Sequence, residues 1–394
     1  MTAVSTVPST QNHLVILMAG IAAVGIQALM LSPLLPDIAQ ALQAGPAEIG
    51  IASGAYGAGV ALAALLAAPR LGQWRKRRAI QIAFAVIAAG LAVCAAAFDW
   101  RILVAGQFIT GLAAGVIIPG TYALTADLTP DHMRSRAMGR VIFGWSVAMV
   151  AGIPFAALIA DLLDWRGTFL AVSTISAVMI FGIGLLPRSE AVAAARPVSY
   201  RQALAVTGIP LALIATFVFM IAFYQTYTFL GDHVRHLHQA GAWLGGLVAC
   251  SYGVGFGLAV FFDAFIDRVG PARLMAAALF VLGINYILLP LSTLTLWTAI
   301  AYPLIWGLAQ HVGMNTLVSY IGAAPQAERS TAMGLFSFIT YVAVGLGGGV
   351  YGSVYANYGF FATSFAATAS LWIGALLVLL FLPRSATPAT SSSR

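Results

Sequence analysis

Trp306, Gln310, His311, Asn315 and Thr316 fall inside one otherwise apolar stretch, and their spacing is helical. Gly307, His311 and Asn315 stand at i, i+4 and i+8 on one face, with Trp306 and Gln310 along its edge. Such a row offers a stacking surface, amide donors and acceptors, and an imidazole that ordinarily titrates near neutrality. That is chemistry for holding a small organic molecule and for moving a proton. The competing role is hydrogen bonding between helices buried in lipid. The same reasoning selects Gln27, then Gln107 and Thr110, then Tyr224, Gln225 and Tyr227, with Asn285 and Tyr286 as weaker candidates. No phosphate-binding loop, metal-ligand spacing or nucleophile paired with a base is present, so no catalytic residue, metal or cofactor is expected. Cys94 and Cys250 sit singly in apolar runs and suggest no disulfide framework.

The elements that must position these residues follow from composition. The chain has 394 residues, 61% hydrophobic and 8% charged, against about 45–50% and 25% in a soluble domain. Lipid is the solvent such a sequence requires. A helix needs about 20 apolar residues to cross the hydrocarbon core, and twelve stretches qualify: 14–33, 49–70, 79–98, 102–124, 138–162, 168–187, 207–230, 242–262, 273–291, 295–319, 332–354 and 361–382. None alternates as a lipid-facing strand would. No Lys or Arg precedes Leu14, so the first run reads as an uncleaved span.

Orientation comes from the loops. With both termini cytoplasmic, 16 of the 19 Lys and Arg lie on the inner side and only Arg101, Arg166 and Arg235 lie outside. This placement answers the net charge of +7 without invoking nucleic acid. No acid or base falls near the centre of a span; Asp37, Glu48, Asp127 and Asp263 are all terminal. Because a charge at the bilayer centre is costly, the cavity is expected to be uncharged apart from histidine, and the solute neutral or amphiphilic.

The two halves repeat. Pro130-Asp131-His132-Met133-Arg134-Ser135-Arg136-Ala137-Met138-Gly139 returns 195 residues later (130 to 325) as Pro325-Gln326-Ala327-Glu328-Arg329-Ser330-Thr331-Ala332-Met333-Gly334. That offset also sets Arg78 on Arg273, Gly152 on Gly347 and Thr168 on Thr363. The expected fold is an all-α membrane protein: twelve transmembrane helices in two parallel-repeat six-helix bundles around a central cavity. The first bundle takes 1–187, a cytoplasmic linker 188–206, the second bundle 207–384, and a Ser/Thr/Pro-rich tail 385–394. Glycines four apart, Gly50/Gly54, Gly253/Gly257, Gly345/Gly349 and Gly348/Gly352, are spaced for close approach of the second, eighth and eleventh spans.

These residues resemble the major facilitator superfamily over essentially the whole chain, and most of all its twelve-span drug and sugar efflux branch. Leu31-Ser32-Pro33-Leu34-Leu35-Pro36-Asp37 looks like the proline pair that ends the first span in that branch, and Gly152-Ile153-Pro154 like its antiporter motif. Asp164-Trp165-Arg166-Gly167-Thr168-Phe169 looks like the loop that follows. The Arg75-Lys76-Arg77-Arg78 loop looks like the family's gate motif, with Gly72 where its Asp belongs; Asp267-Arg268-Val269-Gly270 is a closer copy. The resemblance implies a cavity lined by the first, fourth, seventh and tenth spans. It implies gating by Arg75, Arg78, Asp127, Gly152, Pro154, Asp267 and Arg268, with the cations of the Arg75-Lys76-Arg77-Arg78 cluster meeting Asp127. The family's coupling arginine is replaced by Gln107, which leaves His311 first and Asp37 second as proton-coupling candidates. The expected protein is a monomeric, non-enzymatic secondary transporter of the bacterial inner membrane. It would move a small solute by alternating access, by proton-antiport efflux or, alternatively, as an uncoupled facilitator or importer of a sugar or metabolite.

Overall fold

The computed structural model describes residues 10–67, 75–130, 133–187 and 199–382, and every regular element among them is helical. In hydrocarbon a backbone amide finds no water, so each segment must satisfy its own N–H and C=O groups, and helices do so. The chain runs through α1 (Thr10–Leu29), α2 (Leu31–Ala41), α3 (Pro46–Ala67), α4 (Lys76–Ala95) and α5 (Trp100–Asp127). A fifth path is assembled from α6 (Arg134–Ile142), α7 (Gly144–Val147), a π turn at Ala148–Gly152 and α8 (Ile153–Leu162), and α9 (Trp165–Gly184) follows. After the linker come α10 (Tyr200–Ala205), α11 (Ile209–His238) and α12 (Ala242–Leu258). A 3-10 turn at Ala259–Phe262 leads into α13 (Asp263–Val269). The chain closes with α14 (Pro271–Ser292), α15 (Leu296–Gly322), α16 (Gln326–Gly349) and α17 (Tyr351–Phe381). The tail at 385–394 and most of the linker lie outside the described residues.

Among the described residues, eleven stretches are long and apolar enough to cross a membrane, against the twelve expected. The one left out is α15, whose 27 residues suffice in length but include Gln310, His311 and Asn315. Large apolar side chains point outward, among them Phe98, Phe181, Phe261, Leu163 and Trp297. Water would penalise such a surface, and lipid does not.

Two boundaries differ from the sequence expectation. Pro33 and Pro36 do not end the first span: the helix breaks at Met30 and resumes as α2 to Ala41. Pro33 has no N–H for the carbonyl of Leu29, so the bond lost is the one that would have carried α1 straight on. Likewise the eleventh span continues past Gly349 into α17 and turns at Gly359, whose φ of 75° suits only glycine.

Packing in the first half recurs in the second. α4 lies against α5 and α9, as α14 lies against α15 and α17; α3 lies against α5, as α12 lies against α15. Contacts between the halves run along α3 with α16, α12 with α8, and α2 with α11. Glycine makes the first of these seams: a methyl group on Gly50 would stand 2.5 Å from the Gly348 carbonyl oxygen, and one on Gly54 2.6 Å from that of Gly345. Gly253 meets Met149 of the π turn in the same manner.

Candidate functional site

In the second half, α12 and α15 approach so closely that a side chain on Gly255 would strike the Leu304 carbonyl, and one on Gly307 the Tyr252 carbonyl. This approach carries Asp263, at the head of α13, onto the polar row of α15. His311 Nε2 lies 3.0 Å from Asp263 Oδ1, and Asn315 Nδ2 donates to the same oxygen at 2.5 Å. Ser319 in turn donates to Asn315 Oδ1. Histidine and asparagine one turn apart thus share a single carboxylate oxygen, and Asp263 orients both. When His311 donates from Nε2, its Nδ1, buried without a partner, is the bare nitrogen that a proton would take. The Asp263 side chain is 36% exposed and that of His311 17%.

Counted along its own segment Asp263 is terminal, and the neighbouring helix meets it there with its most polar turn. Trp306 also departs from expectation. It is fully buried among Phe223, Tyr252 and Tyr286, so its ring packs core and offers no open stacking face. Phe256 stands edge-on to His311 with ring centres 4.9 Å apart. Gln310 is buried, and its Oε1 has no partner.

In the first half, Gln27 Nε2 donates to Thr110 Oγ1 at 2.9 Å and to Gln107 Oε1 at 3.3 Å, while Thr110 donates to the Gln107 carbonyl. All three are buried, so in this conformation they bind α1 to α5. Gln27 Oε1 and Gln107 Nε2 are left without partners. Gln225 ties α11 to α17 through the Thr363 carbonyl and also retains an unpartnered Oε1. Tyr227 stacks on Phe223 with its hydroxyl unpartnered, and half-buried Tyr224 lies against Gly347. Tyr341 is in electrostatic range of Tyr56 and Tyr122 from the first half and of Tyr224 from the second. Tyr122 also accepts from Trp145 Nε1 at 3.1 Å.

Asp37 is held across the halves. Arg235 forks onto it with two bonds of 2.7 Å and also donates to the Pro33 carbonyl at 2.6 Å. Beside this pair, Ser32 donates to the Tyr227 carbonyl, and both Asp161 oxygens accept from the N-terminus of α12 at Ala242 and Trp243, 2.7 Å each. Two apolar recesses of about 490 and 470 Å³ lie elsewhere, the first beside Leu14 and Phe143 and the second between α4 and α5. Neither is lined by His311 or Gln27.

Residues 17–323 match the family model for the Major Facilitator Superfamily, well over half of the chain. The chain belongs to that superfamily. It is 29% identical over 381 residues to the MFS-type transporter YwfA of Bacillus subtilis (strain 168), spanning 93% of this chain and 92% of YwfA. It is 28% identical to a chloramphenicol resistance protein of Streptomyces lividans, spanning 67% of this chain and 69% of that one. Its fold superposes with a TM-score of 0.76, at 15% identity, on a bacterial homolog of the human lysosomal transporter Spinster solved inward-facing and unoccupied. That match covers 95% of this chain and 97% of the other.

As a superfamily transporter, the protein departs from the expected gate at one point. Asp127 is met by Lys76, at 2.6 Å, and not by Arg75 or Arg78, which are both exposed. Lys76 opens α4 and points inward, whereas Arg75 precedes the helix and Arg78 falls two positions past Lys76 on a different face. Arg77 bonds the carbonyls that end α9, at Gly184 and Leu186. Gly152 sits against Ile26 of α1, and Pro154 against Gly246 of α12, so the Gly152-Ile153-Pro154 segment lies where three helices meet. In the following loop, Asp164 caps α9 through Gly167 N, and Arg166 covers the Trp165 ring. Arg268 is exposed; Gly72 and the side chain of Asp267 lie outside the described residues. Sequence reasoning missed Asp263 and Arg235 as site residues. Asp263 directly follows the eighth expected span, and Arg235 lies five residues past the seventh.

Proposed function

We propose that this transporter is a monomeric, twelve-span protein of the bacterial inner membrane that exports a small neutral or amphiphilic organic solute in exchange for protons. Its two parallel six-helix bundles alternate access to a site between them. Both termini face the cytoplasm, by the distribution of Lys and Arg. The observation that carries this reading is an asymmetry. Polar bonds between the halves gather at the Asp37 end, from Asp37–Arg235 to Asp161–Ala242. Among the described residues at the other end, the Lys76–Asp127 and Arg77–Gly184 bonds each join two residues of one half. The state is then closed outward and open inward, as one state of an alternating pair would be.

Proton coupling is assigned to His311 with Asp263. Histidine is the side chain whose ordinary titration spans about pH 5 to 8. A proton taken by its free nitrogen would form an ion pair with Asp263, leaving the site neutral overall and suited to an uncharged solute. Asp37, the second coupling candidate, is occupied by Arg235 and fits a gate better than a proton carrier. Export is favoured by the relative named as a chloramphenicol resistance protein. The alternative, an uncoupled facilitator or importer, draws on the closed Gln27–Gln107–Thr110 network standing where relatives use an arginine.

Proteoliposomes with an imposed pH gradient and a panel of antibiotics, sugars and metabolites test the proposal. The parent should accumulate a panel member against its gradient, and His311→Gln should keep exchange but lose that accumulation. Equal accumulation by His311→Gln reduces His311 to a wall residue. A parent that exchanges substrate but ignores the pH gradient establishes the facilitator instead.

A further inference from the structure

The last turns of α11 carry a second carboxylate that nothing above has used. Asp232 is buried, 3% exposed, and lies one helical turn before Arg235 on the same face. Its Oδ2 accepts from the Tyr355 hydroxyl of α17. Its Oδ1 makes no hydrogen bond; His236 Nδ1, 3.3 Å away, is turned to the Asp232 carbonyl. The separation of 195 that relates Ser32 to its bonded partner Tyr227 also relates Asp37 to Asp232. The two carboxylates are therefore repeat mates, flanking one arginine at the closed end. The other charged or titratable groups nearby are engaged. His233 and His238 bond Thr293, and Glu48 of α3 is held by the Gly45 amide.

Opening this end moves Asp37 away with α2, while Arg235 stays on α11 with its side chain 9% exposed. A buried guanidinium left without a carboxylate would be strongly unfavourable. In its own half Arg235 Nε donates at 3.4 Å to the neutral Ala240 carbonyl, and the carboxylate on the same face one turn away is Asp232, whose Oδ1 makes no hydrogen bond. We propose that Arg235 exchanges partners during transport: it clamps Asp37 when this end is closed and falls back on Asp232 when it opens. A single cation then remains paired in both states, and the barrier between them is lowered at its most costly point. This rests on the alternating-access reading above and adds to it a residue that stabilises the state not seen here.

Spin labels at exposed Gln40→Cys and Leu237→Cys, with Cys94 and Cys250 replaced by alanine, report the distance across this end in the full-length protein in lipid. Asp232→Asn should lower the open population about tenfold, the worth of one charge-assisted hydrogen bond. Asp37→Asn should raise it. In an Arg235→Gln background, Asp232→Asn should shift nothing. Tyr355→Phe, which keeps the carboxylate, should not lower the open population, and so separates exchange from loss of packing. A shift by Asp232→Asn that is the same with and without Arg235 overturns the exchange while leaving alternating access intact. An absent shift in the parent background overturns it too. One short distance in the parent under every condition overturns both.

Discussion

Two ion pairs of nearly equal geometry sit at opposite ends of the molecule. Lys76–Asp127 spans 2.6 Å, with side chains 7% and 35% exposed; Arg235–Asp37 spans 2.7 Å, with side chains 9% and 34% exposed. By distance and burial they cannot be told apart. They differ in what they join: 51 residues separate the first pair, inside one half, and 198 separate the second, across the halves. The same contrast holds for their neighbours. At the Asp37 end, Ser32, Asp161 and the glycines of α3 and α16 all bond or touch the opposite half. At the Lys76 end, Arg77 and the His311–Asp263–Asn315 group bond within their own half. An ion pair within a bundle makes that bundle rigid, and the same pair between bundles makes one conformation preferable to another.

Substitutions break this comparison in a definite order. Gly54→Val should act most strongly, because its Cβ would meet backbone on the opposite helix at 2.6 and 2.9 Å, and backbone cannot turn aside. The closed seam should lose about 3 kcal/mol, read as a shift toward the open distance between labels on α2 and α11. Gly334→Ala is the control, since nothing lies within 4 Å of that position. Next, Asp37→Asn should favour opening by about 2 kcal/mol, a roughly thirtyfold change in population. That figure allows for the third of Asp37 that water already screens. Lys76→Gln should cost the first half about 1.5 kcal/mol, seen as a lower unfolding temperature in detergent, with the open-to-closed ratio unmoved. A changed ratio would mean that Lys76 too is part of a gate. Smallest of all, Arg78→Gln on its exposed site should change stability by less than about 0.5 kcal/mol, with transport unaltered.

The sequence made the helices legible wherever lipid dictates composition, because length and hydropathy suffice for that. It was less informative where a helix bends. Pro33 reads as a stop, yet the two prolines remove only the bonds at the Leu29 and Ser32 carbonyls, and the α2 continuation is what brings Asp37 to Arg235. The polar row on α15 was legible from its spacing, since i and i+4 positions share a face whatever surrounds them. Its partner was not. Asp263 was placed by counting along one segment, whereas its depth is set by Gly255 and Gly307, which draw α12 and α15 together. Lys76 was hidden among four consecutive cations, where only the start of α4 decides which one turns inward. Gln27 on one span and Gln107 with Thr110 on another were selected separately as cavity candidates, and in this conformation they are bonded to one another.

Accessibility from the two faces tests the asymmetry most directly. Asn315→Cys, in the background lacking Cys94 and Cys250, is exposed to a membrane-impermeant thiol reagent added to one face of oriented vesicles at a time. The account predicts labelling from the face that carries Lys76, little from the face that carries Asp37, and a reversal of that preference when Gly54→Val is added. Equal labelling from both faces in the parent, or a preference that Gly54→Val leaves unchanged, would contradict it.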